Sequence, residues 1–95
     1  MSRFTKGQLV EVAATFTTDD IPTDPTLVVF RVIRPFGPEE SYTYGVDSEV
    51  IKSSTGLYKM DILCDDSGEF WYRVEGTGMV TDAFEGSFLV RSSPF

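Results

Sequence analysis

Ninety-five residues carry 8 Lys and Arg against 15 Asp and Glu, a net charge of -7 and a pI near 4.3. That length suits one domain, and the acid excess excludes a coat for DNA or anionic lipid, which needs clustered Lys and Arg. A hydrophobic content of 41% with 14% aromatic residues excludes a disordered acidic tail. No His and no Asn occur anywhere. Without His the chain lacks the usual general base, the commonest metal ligand and the base of Ser-His and Cys-His nucleophile pairs. The expectation is a non-enzymatic domain with no cofactor and no metal.

Cys64 is the sole cysteine, so no intramolecular disulfide forms and a reducing compartment is expected. No apolar h-region follows the basic N-terminal residues. The longest aliphatic or aromatic run, Leu27–Phe30, is far below the ~18–20 residues of a membrane span. No membrane and no nucleic-acid partner is expected.

Val, Ile and Thr make up 24 of the 95 residues, a skew toward strands. Period-two alternation recurs along the chain. In Gln8–Thr18, Val10, Val12, Ala14 and Phe16 share one face. Asp19 to Pro25 reads as a turn cluster. Thr26–Arg34 is apolar on both faces apart from its arginines, which predicts a central strand, and Pro35-Phe36-Gly37-Pro38 ends it. Short strands follow at Tyr42–Tyr44 and Glu49–Lys52, then Leu57–Cys64 after Ser53-Ser54-Thr55-Gly56.

Asp65-Asp66-Ser67-Gly68 reverses the chain into Glu69–Glu75, with Phe70, Tyr72 and Val74 opposite Glu69, Trp71, Arg73 and Glu75. Gly76-Thr77-Gly78 reads as a turn or bulge, and a last strand aligns Phe84, Gly86, Phe88 and Val90. About seven strands with no crossover helix predict antiparallel pairing in two stacked sheets. A small closed barrel is the alternative. One domain over residues 1–95 is expected, with a core of about 7–91 and short flexible ends.

Asp19, Asp20 and Asp24, and Asp65 with Asp66, are loop carboxylates that fit no EF-hand spacing and read as turn formers. Chance carboxylate pairs on so small a sandwich do not make a glycosidase. Cys64 alternates with Met60 and Ile62 as a small buried hydrophobe, with Asp65 and Asp66 opposing thiolate formation. Gly76-Thr77-Gly78 lacks the lysine and following helix of a phosphate loop.

Trp71 points away from Phe70, Tyr72 and Val74 among charged neighbours. It is a partner-binding candidate, unless Arg73, a loop or cross-strand pairs with Tyr42 or Tyr44 cover it. Phe36 in its Pro-Phe-Gly-Pro tip and the terminal Phe95 are the other partner-binding candidates.

The order Gly7-Gln8-Leu9-Val10, Phe16-Thr17, Asp24-Pro25-Thr26 and Ser54-Thr55-Gly56-Leu57-Tyr58 continues through the tract Gly68 to Gly78 to Glu85-Gly86-Ser87-Phe88. It resembles small immunoglobulin-like virion structural proteins of tailed bacteriophages and prophages, from Gly7 to Val90. The Cys–Trp–Cys signature of antibody domains is absent. The resemblance implies an all-β, immunoglobulin-like antiparallel sandwich. It also implies a non-enzymatic virion role in capsid decoration, head–tail joining or tail decoration. Its partners would be capsid or tail proteins, bound in multiple copies, with assembly in the host bacterial cytoplasm. Related modules are also fused to larger tail and surface proteins, but with Met1 at the start and an end soon after the last strand a stand-alone protein is the expectation here. The alternative function is a carbohydrate- or receptor-binding adhesion module using Trp71 with Tyr42 or Tyr44.

Overall fold

A computed structural model describes residues 2–92. Phe95 lies outside the described residues. The chain forms β1 (Ser2–Thr5), β2 (Leu9–Thr15), β3 (Thr17–Thr18), β4 (Ile21–Pro22) and β5 (Leu27–Ile33). There follow β6 (Glu39–Thr43), β7 (Ile51–Ser54), β8 (Leu57–Leu63), β9 (Gly68–Thr77) and β10 (Asp82–Arg91). A five-stranded sheet in the order β1-β10-β9-β5-β6 stacks on a three-stranded sheet in the order β2-β8-β7. This is an all-β sandwich, with its core between the sheets.

Alternation builds that core directly. Val10, Val12 and Ala14 of β2 face Tyr58, Met60 and Ile62 of β8, and these pack against Val28, Phe30 and Val32 of β5 and Phe70 and Val74 of β9. Phe88 and Val90 of β10 complete the cluster, with Phe70 and Phe88 stacked at 5.1 Å. β5 lies between β9 and β6, the central position its apolar run predicts, although its outward residues Leu27 and Ile33 remain exposed.

Four expectations need correction. Strand structure begins at Ser2, before the expected first strand. β1 pairs with β10 in parallel, so the sheets are not wholly antiparallel. A crossover helix is needed only between strands close in sequence. These two are the first and last strands, and the rest of the domain connects them. β1 carries one apolar anchor, Phe4, whose ring meets Phe88 edge-on at 5.5 Å, and it covers the edge that β10 would otherwise expose.

The Asp19–Pro25 cluster also contains strand structure, because β3 and β4 pair around Asp19 and Asp20. Both aspartates have positive φ, 51° and 66°, the pattern of a type I′ hairpin turn. Finally, β9 continues through Gly76 to Thr77, so the expected turn starts later.

Asp is a costly choice at the second position of such a turn, where glycine is the usual residue. Relief of that strain outweighs the extra unfolded-state entropy of glycine. Asp20→Gly is therefore expected to stabilise the domain by about 0.5 kcal/mol, raising Tm by about 2–4 °C. A thermal melt that moves downward would show that the Asp20 side chain contributes more than its strain removes.

The two sheets are tied at one end by Arg34. Its Nε donates to Glu40 at 3.1 Å, and its Nη1 donates to the Leu63 carbonyl and to Asp65, each at 3.0 Å. The guanidinium lies 5.7 Å from the Phe70 ring centroid.

Candidate functional site

The outward face of the five-stranded sheet carries the chemistry. Register sets it out in rows: Ser41, Arg31, Arg73 and Glu85 across β6, β5, β9 and β10, then Glu39, Ile33, Trp71 and Ser87 in the next row. Two arginines directly opposite each other would repel. Glu75, one row further along β9, resolves this by accepting from Arg31 Nε at 2.8 Å and from Arg73 Nε at 2.6 Å. Arg73 Nη1 donates on to Glu85 at 3.0 Å, and Arg31 Nη1 to Ser41 at 3.2 Å.

Arg73 and then Arg31 hold the Glu75 carboxyl below the usual carboxylate range, against a smaller opposing effect of burial. Glu75 therefore stays ionised near neutral pH and acts as a strut between the guanidinium groups. It is not placed as a proton donor.

Next to this lattice Trp71 is 51% exposed, and its register partner Ile33 is 43% exposed. A shallow trough of about 360 Å³ runs beside Trp71 and Ile33, bordered by Arg31, Arg73, Glu39 and Glu85. Trp71 thus points outward, as its alternation predicts. Its expected aromatic partners do not meet it. Tyr42 is paired with Phe30 and packs toward the core, donating to Glu40 at 2.9 Å. Tyr44 stacks edge-on against Tyr58 at 5.1 Å.

Phe36 occupies the β5–β6 turn at 82% exposure, at the end of the sheet where Ile33 pairs with Trp71. Phe95 is not among the described residues. The arginine–glutamate lattice was missed from sequence. Its signal was Arg31, a charge inside an otherwise apolar strand and on the same parity as Ile33.

Two of the loop carboxylates, Asp24 and Asp65, and the thiol have structural work. Asp24 accepts from Lys52 Nζ at 2.6 Å, the Gly56 N–H at 2.8 Å and the Tyr58 O–H at 3.0 Å. No group of three or more potential metal ligands gathers among the described residues. Cys64 is buried, and burial, then Asp65, pushes its thiol up, away from thiolate reactivity.

No protein-family model matches the chain, and no curated protein matches it in sequence. A fold likeness exists. The structure is similar to part of a crystal structure of a candidate glycoside hydrolase from Bacteroides vulgatus ATCC 8482, with a TM-score of 0.64 and 12% identity. The match covers 98% of this chain and 17% of that one. It therefore concerns a domain-sized portion of a much longer protein, and at this identity the likeness is one of fold alone.

Proposed function

We propose that this protein is a non-enzymatic structural component of a tailed-phage particle, docking on capsid or tail subunits through the outward face of its five-stranded sheet. The observation that carries the docking reading is the half-exposed Trp71 beside Ile33, set in a charge lattice whose geometry is fixed by Glu75. A large aromatic with an aliphatic neighbour and a polar surround has the anatomy of an interface centre. The phage setting is supported by the resemblance of the Gly68–Gly78 tract, which includes Trp71.

Peptide mass spectrometry with copy number, on gradient-purified particles from the source, tests the setting. Hundreds of copies per particle place the protein on the head, and roughly six to twelve place it in a symmetric ring at the head–tail joint or tail tip. Absence from the particle overturns the virion reading.

Trp71→Ala tests the face. Trp71 lies outside the core, so the substitution is expected to cost about 1 kcal/mol of stability through its lost cross-strand contact with Ile33 and leave the domain folded. Loss of an interface anchor costs about 2 kcal/mol or more, roughly a thirty-fold drop in affinity for the particle subunit. Unchanged co-assembly in a correctly folded variant would move the interface elsewhere.

A second reading is a saccharide-binding module. It is favoured by the open indole with hydrogen-bonding side chains beside it, and glycan-array binding that vanishes in Trp71→Ala would establish it.

A further inference from the structure

The docking face also carries a charge preference. Within the lattice, three carboxylates, Glu39, Glu75 and Glu85, stand against two guanidinium groups. Glu75 engages both arginines at once, and with Glu39 and Glu85 counted the lattice carries one net negative charge. Glu39 is only a loose partner, 3.8 Å from Arg31, and its side chain is about half exposed. Glu85 is more open still, bonded to Arg73 at 3.0 Å with its side chain 60% exposed. Glu85 borders the trough on the β10 side of Trp71 and Glu39 on the β6 side. The whole protein adds to this field with its net charge of -7.

Resting on the reading that this face docks a protein, we infer that its partner presents an extended basic segment in which arginine alternates with an aliphatic residue. One arginine of that segment stacks its guanidinium plane on the Trp71 indole beside Glu85, and a second approaches Glu39 on the far side of Ile33. The aliphatic side chain lies along Ile33. The chemistry selects this occupant. A planar cation gains from the negative face of the indole and from its carboxylate neighbours. An acidic segment would meet a net negative surface whose arginines are already paired. A neutral saccharide would gain the stacking contact and nothing from the charge excess.

Trp71 is the chain's only tryptophan, so tryptophan emission excited selectively reads this site alone. The test titrates the full chain with the capped pentapeptide Arg-Leu-Arg-Leu-Arg, its Glu-Leu-Glu-Leu-Glu counterpart, and a chitin tetramer. The basic peptide is expected to give a saturable change in Trp71 emission that weakens at least five-fold between about 0.05 and 0.5 M salt. The acidic peptide and the sugar should give none.

Calorimetric titration should show the basic peptide binding at least five-fold more weakly to Glu39→Gln/Glu85→Gln, with an unchanged Tm confirming that the variant folds. Equal response to both peptides, no saturable response to the basic one, or response to the sugar alone would each overturn the inference. Should particles contain the protein while the basic peptide fails to bind, the partner chemistry falls and the virion reading stands.

Discussion

Phe16→Ala is expected to cost about 3–5 kcal/mol, among the largest single-residue effects in this domain. Phe16 is 0% exposed and stands where the chain leaves the three-stranded sheet at the end of β2. Its N–H donates to the Gly56 carbonyl at 2.8 Å, and its own carbonyl accepts from Thr23 at 2.9 Å, so the backbone is anchored on both sides. The ring meets Phe84 at 5.5 Å and Tyr58 at 6.1 Å, both edge-on.

Because the backbone is pinned, neighbours cannot collapse into the space that alanine would leave, and the cavity term stays large. A domain of this size has a total stability of roughly 5–15 kcal/mol. The variant therefore loses a large share of it, and its Tm should fall by about 15–30 °C.

The other side of the same contact is Gly76. A Cβ built there would lie 2.5 Å from Phe16 Cε1 and 2.9 Å from Pro25 Cγ, so Gly76→Ala overpacks the site and should cost about 1–3 kcal/mol. If Phe16 is the obstacle, shortening it to leucine relieves that clash. The double variant Phe16→Leu/Gly76→Ala should then be more stable than the sum of its singles by about 1 kcal/mol. Urea melts of the four proteins decide this, and strict additivity would show that Pro25 is the true constraint.

Gly76 also shows where sequence reading reaches its limit. As one glycine of a Gly-Thr-Gly triplet it reads as a turn, yet it lies in β9 because Phe16, sixty residues away, leaves no room for a side chain. Period two and the turn residues were enough to place β2, β5, β8 and β9 and their inward faces, and the Phe88–Val90 end of β10, since these segments bury alternate apolar residues against a common core, whereas Phe84 at the other end of β10 stays exposed. β1 escaped because its one apolar side chain, Phe4, gives no period to detect. β3 and β4 escaped because two aspartates at positive φ look like any acidic turn.

The site divides in the same way. The outward aim of Trp71 follows from parity within one strand, which a sequence displays. Its neighbours follow from register between strands. Arg31 and Glu75 are 44 residues apart, and no local pattern announces that they will meet. Tyr42 was misjudged for the same reason, since pairing with Phe30 directs it inward.

Alkaline pH should unfold the native protein earlier than it unfolds Tyr58→Phe. Burial first, and the Asp24 carboxylate next, push the Tyr58 phenol from its ordinary 10.0 up to about 12. The folded state therefore keeps a proton that the unfolded chain gives up near pH 10. The associated stability is fully present below pH 10 and is lost as pH rises toward about 12. At roughly 1.4 kcal/mol per pH unit, the full loss is on the order of 2–3 kcal/mol.

At pH 7, by contrast, Tyr58→Phe removes one hydrogen bond to a carboxylate that keeps Lys52 and the Gly56 N–H as partners, a cost of about 1 kcal/mol. The two stability curves should accordingly cross near pH 11. Tyr42, also raised by burial and then by Glu40, adds a slope common to both proteins, so the crossing isolates Tyr58.

The acid side has the opposite sign. Asp24 is held below its ordinary 3.8 chiefly by Lys52, then by the Gly56 N–H. Its contribution is present above that value and disappears as pH falls through the lower, folded one. Chemical melts at half-unit steps from pH 9 to 11.5 would settle the alkaline half. Parallel curves for native protein and Tyr58→Phe would mean that neither burial nor Asp24 raises the Tyr58 phenol.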